Sequence, residues 1–297
     1  MKNIFGQEVE EDVILRDKFI EPPFSVLDTK GGRWQARKRA WLAKGIKSEV
    51  GRGTNLTYQI PMNAYRQENM EEEYYEASKK DGTSVFDPAL CELIYRWFCP
   101  VGGSILDPFA GGSVRGVVAH FLGYKYFGIE LRKEQVDSNR EQALAMLAVN
   151  NQPQWYVGDS DAVLDRGAKI TFDFAFSCPP YADLERYSDD PLDLSTMDYA
   201  DFLNKYRSII KKTVSLVKPG SYIAWVVGDV RNRKTGYYYD LVSDTKYAFD
   251  NFGAGLYNDA ILLTMIGTAS MRADKQFEAS RKLVKVHQNV LIFKKYN

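Results

Sequence analysis

The chain has 297 residues, 45% hydrophobic and 26% charged, with 39 basic and 39 acidic side chains. That length can bury a large core, as one α/β domain or a domain with an appendage. Zero net charge excludes a chain that is polycationic overall, so a nucleic-acid partner would have to be met by a local basic patch.

Three cysteines, Cys91, Cys99 and Cys178, are an odd and sparse set that fits a reducing compartment better than a disulfide framework. Cys91 and Cys99 have no second pair nearby, so no metal site is read. No apolar run reaches membrane-spanning length, and the opening MKNIFGQEVEED lacks a signal-peptide core. The expectation is a soluble cytoplasmic protein without a membrane partner.

Residues 1–81 are polar, carry aromatics and show little sustained periodicity. Within them Thr29–Gly53 holds Lys30, Arg33, Arg37, Lys38, Arg39, Lys44, Lys47 and Arg52 against Glu49 alone, with Trp34 and Trp41 interleaved. Charge and tryptophans coinciding favour nucleic-acid contact over a plain solvated face. The stretch ENMEEEYYEASKK that follows reads as a solvated helix.

From about Phe86 strands and helices alternate. ALCELIYRWF reads as a helix, and SILDPF as a strand stopped by Pro108. GGSVRGVVAHFLG reads as a helix opened by glycines and closed by Gly123. YKYFGIEL is the next strand and RKEQVDSNREQALAMLAVN an amphipathic helix. QWYVGD and FDFAFSC are two more strands, MDYADFLNKYRSIIKKTVSLVKPG a long helix, SYIAWVVGDV a fifth strand and YDLVSDTKYAFDNFG a helix. DAILLTMI and NVLIFKK form a terminal strand pair. This rhythm argues for a doubly wound, mostly parallel α/β sheet.

Four strand ends carry informative residues. The first is Asp107, Pro108, Phe109, Ala110, Gly111, Gly112 and Ser113, where glycines let backbone approach a ligand and the next helix offers free N–H groups. The second is Glu130, a carboxylate able to accept from both hydroxyls of a ribose. The third is Asp159, followed by Ser160, where a carboxylate can accept from an adenine amino group. The fourth is Ser177, Cys178, Pro179, Pro180 and Tyr181, where two prolines end the strand and stiffen its exit. A parallel sheet brings all four ends to one rim, where ligands bind in open α/β folds.

Together DPFAGGS, Glu130, GDS and SCPPY resemble the motifs of S-adenosylmethionine-dependent DNA amino methyltransferases. The resemblance covers about Phe86 to the last residue and implies a seven-stranded, Rossmann-like class I methyltransferase domain over 82–297. Residues 1–81 would then be a basic extension. PPFSVLDTKGGRWQARKRAWLAKGI also resembles the leader of methyltransferases encoded by phages and prophages.

The implied cofactor is S-adenosylmethionine on Asp107–Ser113, Glu130, Asp159 and Ser160. The implied partner is double-stranded DNA with one base flipped out, and the resemblance leaves room for a cognate restriction nuclease. The Pro179 carbonyl would accept a hydrogen bond from the target amine and Tyr181 would stack on the base. The family usually has Asp, Asn or Ser directly before Pro-Pro; here that place is Cys178, with Ser177 one residue earlier. Either Ser177 contributes through a local kink or the Pro179 carbonyl carries the work.

Cytosine and adenine both remain open as targets. Three other readings stand beside this one: carbon methylation of a pyrimidine by the Cys178 thiolate, RNA amino methylation, and a catalytically silent nucleic-acid-binding protein. Nucleic-acid contacts are expected from Arg33, Trp34, Arg37, Lys38 and Arg39. Phosphates could also be neutralised by Arg272, Lys275, Arg281, Lys282 and Lys285 in the gap before the last strand and by Arg231, Arg233 and Lys234 in DVRNRKTGYYY, against a reading of both as ordinary solvated charge.

Overall fold

The structure is a computed structural model. It describes residues 20–46, 86–166, 170–181, 188–232, 234–264 and 269–297, with side chains from 273 onward in the last of these. The acidic stretch at 68–80 and the residues 182–187 after Tyr181 lie outside the described residues, as does the side chain of Arg272.

The described strands are β1 (Val26–Asp28), β2 (Ser104–Asp107), β3 (Lys125–Glu130), β4 (Gln154–Val157), β5 (Phe172–Ser177), β6 (Val217–Val227), β7 (Ala254–Leu263) and β8 (His287–Lys295). The described helices are α1 (Gly32–Leu42), α2 (Pro88–Phe98), α3 (Val114–Phe121), α4 (Lys133–Met146), α5 (Ser160–Arg166), α6 (Tyr199–Leu216), α7 (Leu241–Asn251) and α8 (Ala269–Ser280). No described helix is long and apolar enough to cross a membrane.

Local chemistry accounts for the boundaries. Asp87 caps α2 by accepting from the Ala89 N–H, with Pro88 in the first turn where its missing N–H costs nothing. Asp198 caps α6 through the Asp201 N–H. α3 ends before Gly123, whose φ of +80° is the left-handed stop that glycine adopts without strain.

The sheet order is β1-β7-β8-β6-β5-β2-β3-β4, and every neighbouring pair is parallel except those made by β8. Without β1, this is the class I methyltransferase order, with the last strand inserted antiparallel between the two before it. The sheet thus has eight strands where seven were expected. The extra strand comes from the presumed extension: Val26, Leu27 and Asp28 pair with Ile261, Leu262 and Leu263. Residues 26–46 therefore belong to the domain, and a division at 81/82 does not separate them from it.

Alternating side chains of the central strands feed two cores, one on each face. Phe174 and Phe176 pack with α2 and α3 around Tyr95, Val117 and Val118. Ala175, Ile223 and Trp225 face α6 and α7, with Phe202, Tyr206, Ile210 and Phe249. Both faces are covered, as parallel sheets require. The chain leaves β2 toward β3 on one side and reaches β5 on the other, so the switch point lies between the carboxyl ends of β2 and β5.

Candidate active site at the sheet switch point

Asp107, the last residue of β2, has no exposed surface and gathers four donors. The Arg115 Nε lies 2.5 Å away, the Tyr126 hydroxyl 2.6 Å, the Ser177 hydroxyl 2.5 Å and the Phe109 N–H 3.2 Å. Burying this charge is tolerated because it is paired and fully hydrogen-bonded. Burial alone would lower the Arg115 pKa, but Asp107 beside it outweighs that and raises it, so the guanidinium stays charged. Burial pushes the Tyr126 phenol up, which keeps it a donor. The Arg115 guanidinium also donates to the carbonyls of Phe109 and Ala110 and lies 4.4 Å from the Phe86 ring. The loop after β2 is thus fastened from below by one ion pair.

α4 fastens the loop from the side. Asn139 donates to the Gly111 carbonyl at 2.8 Å, Ser113 donates to Gln142 at 2.5 Å, and Gln135 donates to Asn139 at 3.0 Å. Positions 135, 139 and 142 share one helical face, so an otherwise ordinary helix turns a buried polar stripe toward the glycines. Gly111 itself sits at φ +53°. Gly128, in β3, leaves space that a Cβ would fill to within 2.8 Å of the Ala110 Cβ. The Ser160 hydroxyl donates to the Pro108 carbonyl, joining the end of β4 to the same loop.

Several expected cofactor residues therefore build the cradle rather than line it. Asp107, Pro108, Ala110, Ser113 and Ser160 are buried, and the polar ones among them are engaged within the protein. Phe109, Gly111, Gly112, Glu130 and Asp159 keep accessible surface at the rim. Glu130 accepts from the N–H groups of Gly111 and Arg132 at 3.1 and 3.0 Å, and burial pushes its carboxyl above the ordinary value. Asp193, in the loop before α6, adds to that shift. Asp159 pairs with Lys205 at 3.0 Å.

The residues after β5 divide in the same way. Ser177 is wholly buried, with its hydroxyl held between Asp107 and the Phe109 N–H, the latter at 3.1 Å. It does not kink outward as an acceptor; it ties the end of β5 to the end of β2. Pro179 is buried, whereas Cys178, Pro180 and Tyr181 keep partial exposure. The Cys178 thiol lies 3.6 Å from the Tyr181 hydroxyl, which also accepts from the Gln288 side chain at 2.6 Å. Gln288, Arg115, Tyr126 and Asn139 had not been singled out. An arginine inside the apolar run SVRGVVAHF was the available signal for Arg115.

The basic arm is placed differently from the expectation. Trp34 and Trp41 are only 3% and 6% exposed, and their indoles donate to Asp87 at 3.1 Å and Glu92 at 2.7 Å. Neither is free to stack on a base. Arg37 makes a two-pronged pair with Glu92, and Lys38 lies 3.4 Å from Asp87. α1 runs from the start of α2 toward Phe121 at the end of α3, so its later cations lead away from the rim. Arg33 and Arg39 stay exposed on α1, as does Lys275 on α8. Among the described residues no group of three or more His, Cys, Asp or Glu side chains could hold a metal ion.

A family model described as DNA methylase matches residues 19–141, which takes in β1, α1, the glycine loop and Glu130 but ends before Cys178. Of the motifs read from the sequence, the match takes in DPFAGGS and Glu130, and GDS and SCPPY lie beyond it. No curated protein matches the chain. Among solved structures, TrmN from Thermus thermophilus is 15% identical with a TM-score of 0.46, over 72% of this chain and 50% of that one. A candidate RNA methyltransferase from Pyrococcus horikoshii is 15% identical with a TM-score of 0.49, over 88% and 100%. A methyltransferase from Pyrococcus furiosus is 17% identical with a TM-score of 0.45, over 78% and 99%. The chain spans about half the length of TrmN.

Proposed function

We propose that the protein transfers a methyl group from S-adenosylmethionine to the exocyclic amine of a nucleic-acid base, with DNA as the substrate. The observation that carries this reading is the exit of Cys178–Tyr181 from β5 directly beside the fastened glycine loop, across the switch point. The rim suits a cationic ligand rich in donors. Glu130 and Asp159 are carboxylates there, and each carboxylate offers about four acceptor sites, of which the chain's own donors use only some.

When bound, S-adenosylmethionine supplies a methyl group made electrophilic by its sulfonium. Glu130 would accept from the ribose hydroxyls, Asp159 from the adenine amino group, and Gly111 and Gly112 would allow close backbone approach. The Pro179 carbonyl accepts a hydrogen bond from the target amine and so turns its lone pair away from the carbonyl. Tyr181 offers a ring to the flipped base while Gln288 fixes the ring's hydroxyl end. Ser177 acts only through Asp107 and the loop.

The DNA assignment is supported by the family match; duplex and RNA substrates share the amine chemistry. Labelled methyl transfer to unmethylated genomic DNA and to total RNA, followed by nucleoside analysis, tests it. The expected product is N4-methylcytosine or N6-methyladenine. Label in RNA alone would move the substrate, 5-methylcytosine would move the chemistry to Cys178, and no label in either would end the enzymatic reading.

A further inference from the structure

Trp34, Arg37, Lys38 and Trp41 of α1 are engaged with Asp87 and Glu92, and a second set of cations lies on another part of the molecule. The loop that leaves β6 and the connection from α8 to β8 come together beside Tyr181. Val227 pairs with Asn289, Gly228 packs on Gln288, and Gln288 holds the Tyr181 hydroxyl. The loop is stiff. Arg231 and Tyr238 form a bridge, Asn232 receives the Gly236 N–H at 2.8 Å, and Tyr239 stacks on Tyr199 at 4.1 Å.

Cations converge on this turn. The Arg231 guanidinium lies 3.9 Å from the Tyr238 ring centre and donates to the Gly236 carbonyl at 2.9 Å. Lys285 lies 5.8 Å from the same ring. The Lys282 ammonium is so near Gly236 that a Cβ there would come within 2.7 Å of it. The two segments carry Arg231, Lys234, Arg281, Lys282 and Lys285 with Asp229 and Asp240 as their carboxylates; Asp229 is 3.5 Å from Lys285, and the Arg281 guanidinium lies 5.1 Å from the Phe277 ring of α8. Tyr237 beside them is 78% exposed.

A second observation points the same way. Arg281 stands at φ +55° directly after α8, where glycine is the unstrained residue, and Asp240 at φ +60° closes the loop. The chain keeps a cation at Arg281 at the cost of backbone strain, as chains do where a side chain is needed.

We infer that residues 231, 232 and 234–238 with the 281–285 connection form the nucleic-acid-binding surface, holding phosphodiester backbone beside a base presented to Tyr181. The inference rests on the methyltransferase reading only for that last position; the binding itself is independent of catalysis. Cations that outnumber the carboxylates of one turn favour a polyanionic ligand. An exposed tyrosine among them suits a base better than an acidic peptide.

The test is fluorescence anisotropy, over a salt series, with three probes: a duplex DNA oligonucleotide, an RNA hairpin and poly-L-glutamate. Lys234→Ala/Lys282→Ala/Lys285→Ala should lower the salt slope for duplex DNA by about 0.9 per lost contact. Arg33→Ala/Arg39→Ala on α1 should leave it unchanged. Arg281→Gly should keep or raise the melting temperature while weakening binding, which separates a lost contact from a misfolded variant. Loss on DNA or on RNA supports the surface and identifies the nucleic acid. An unchanged slope in the triple variant, no binding of either nucleic acid by the wild type, or equal affinity for poly-L-glutamate overturns the inference. Nucleic-acid binding through this surface without methyl transfer would instead leave the inference standing and remove the proposed activity.

Discussion

The Ser177 hydroxyl donates to Asp107 over 2.5 Å, tying the last residue of β5 to the last residue of β2. The bond crosses the gap where the sheet order reverses, and the same oxygen receives the Phe109 N–H. One buried hydroxyl therefore sets the spacing between the glycine loop and the Pro-Pro-Tyr exit.

Ser177→Ala should cost about 1.5–3 kcal/mol, because it removes a donor from a buried carboxylate. Urea denaturation measures this. Cofactor affinity, read by calorimetry, should fall as well, since the loop loses its tie to β5. A variant with unchanged midpoint and affinity would show that Arg115 and Tyr126 hold Asp107 unaided.

Glu130 gives a pH signature in the ligand-free protein. Its carboxyl is raised by burial, so the folded state holds its proton longer than the unfolded state does. Ionisation then favours unfolding, and stability falls as pH rises from the ordinary carboxylate value through the raised one. Glu130→Gln lacks this contribution. Wild type should lose ground to the variant across that window in thermal melts at a series of pH values. The variant should in return bind S-adenosylmethionine more than tenfold weaker, from about 1.5–3 kcal/mol of charged hydrogen bonding. Parallel pH curves, or equal affinity, would remove Glu130 from the site.

Glu92 behaves in the opposite sense. Burial alone would raise it, but Arg37 and Trp41 outweigh burial and hold it below its ordinary value. The stability it gives α1 is present above the ordinary carboxylate pKa and is lost as pH falls through the depressed one. Acid should therefore loosen α1 early, seen as a red shift of tryptophan emission and faster amide exchange over 32–42. Glu92→Gln should show that loosening at neutral pH, at about 1.5–3 kcal/mol.

Cys178 and Tyr181 separate the chemistries. With amine transfer, Cys178→Ser should retain most activity and Tyr181→Ala should be severe, losing stacking of about 1–3 kcal/mol. With a thiolate nucleophile the order reverses, and 5-fluorocytosine in the substrate would trap a covalent adduct. A dead Cys178→Ser protein with intact cofactor binding would decide for the second.

The strand–helix rhythm from Phe86 onward was legible because each strand is a short apolar run closed by glycine, proline or an acid. The gathering of those closures on one rim was legible because a parallel sheet aligns the carboxyl ends of its strands. Two things were not. Val26–Asp28 is too short for periodicity, and its pairing with residues 261–263 is a long-range contact that local pattern does not carry. Trp34, Arg37 and Trp41 show the limit of composition: a run of cations with tryptophans reads as a nucleic-acid arm until its acidic partners, Asp87 and Glu92, are seen far along the chain.

The insertion of β8 between β6 and β7 orders events on the ribosome. Synthesis is vectorial, and the chain through β6 can pair β2, β3, β4 and β5 as it emerges. β7 then has β1 to pair with, but that pair is joined to the rest of the sheet only through β8. β1 is made well before β7, yet the two reach the rest of the sheet only when residues 287–295 are present. One edge of the sheet therefore sets only after β8 is in place, and these high-contact-order pairings should be the slow phase of refolding.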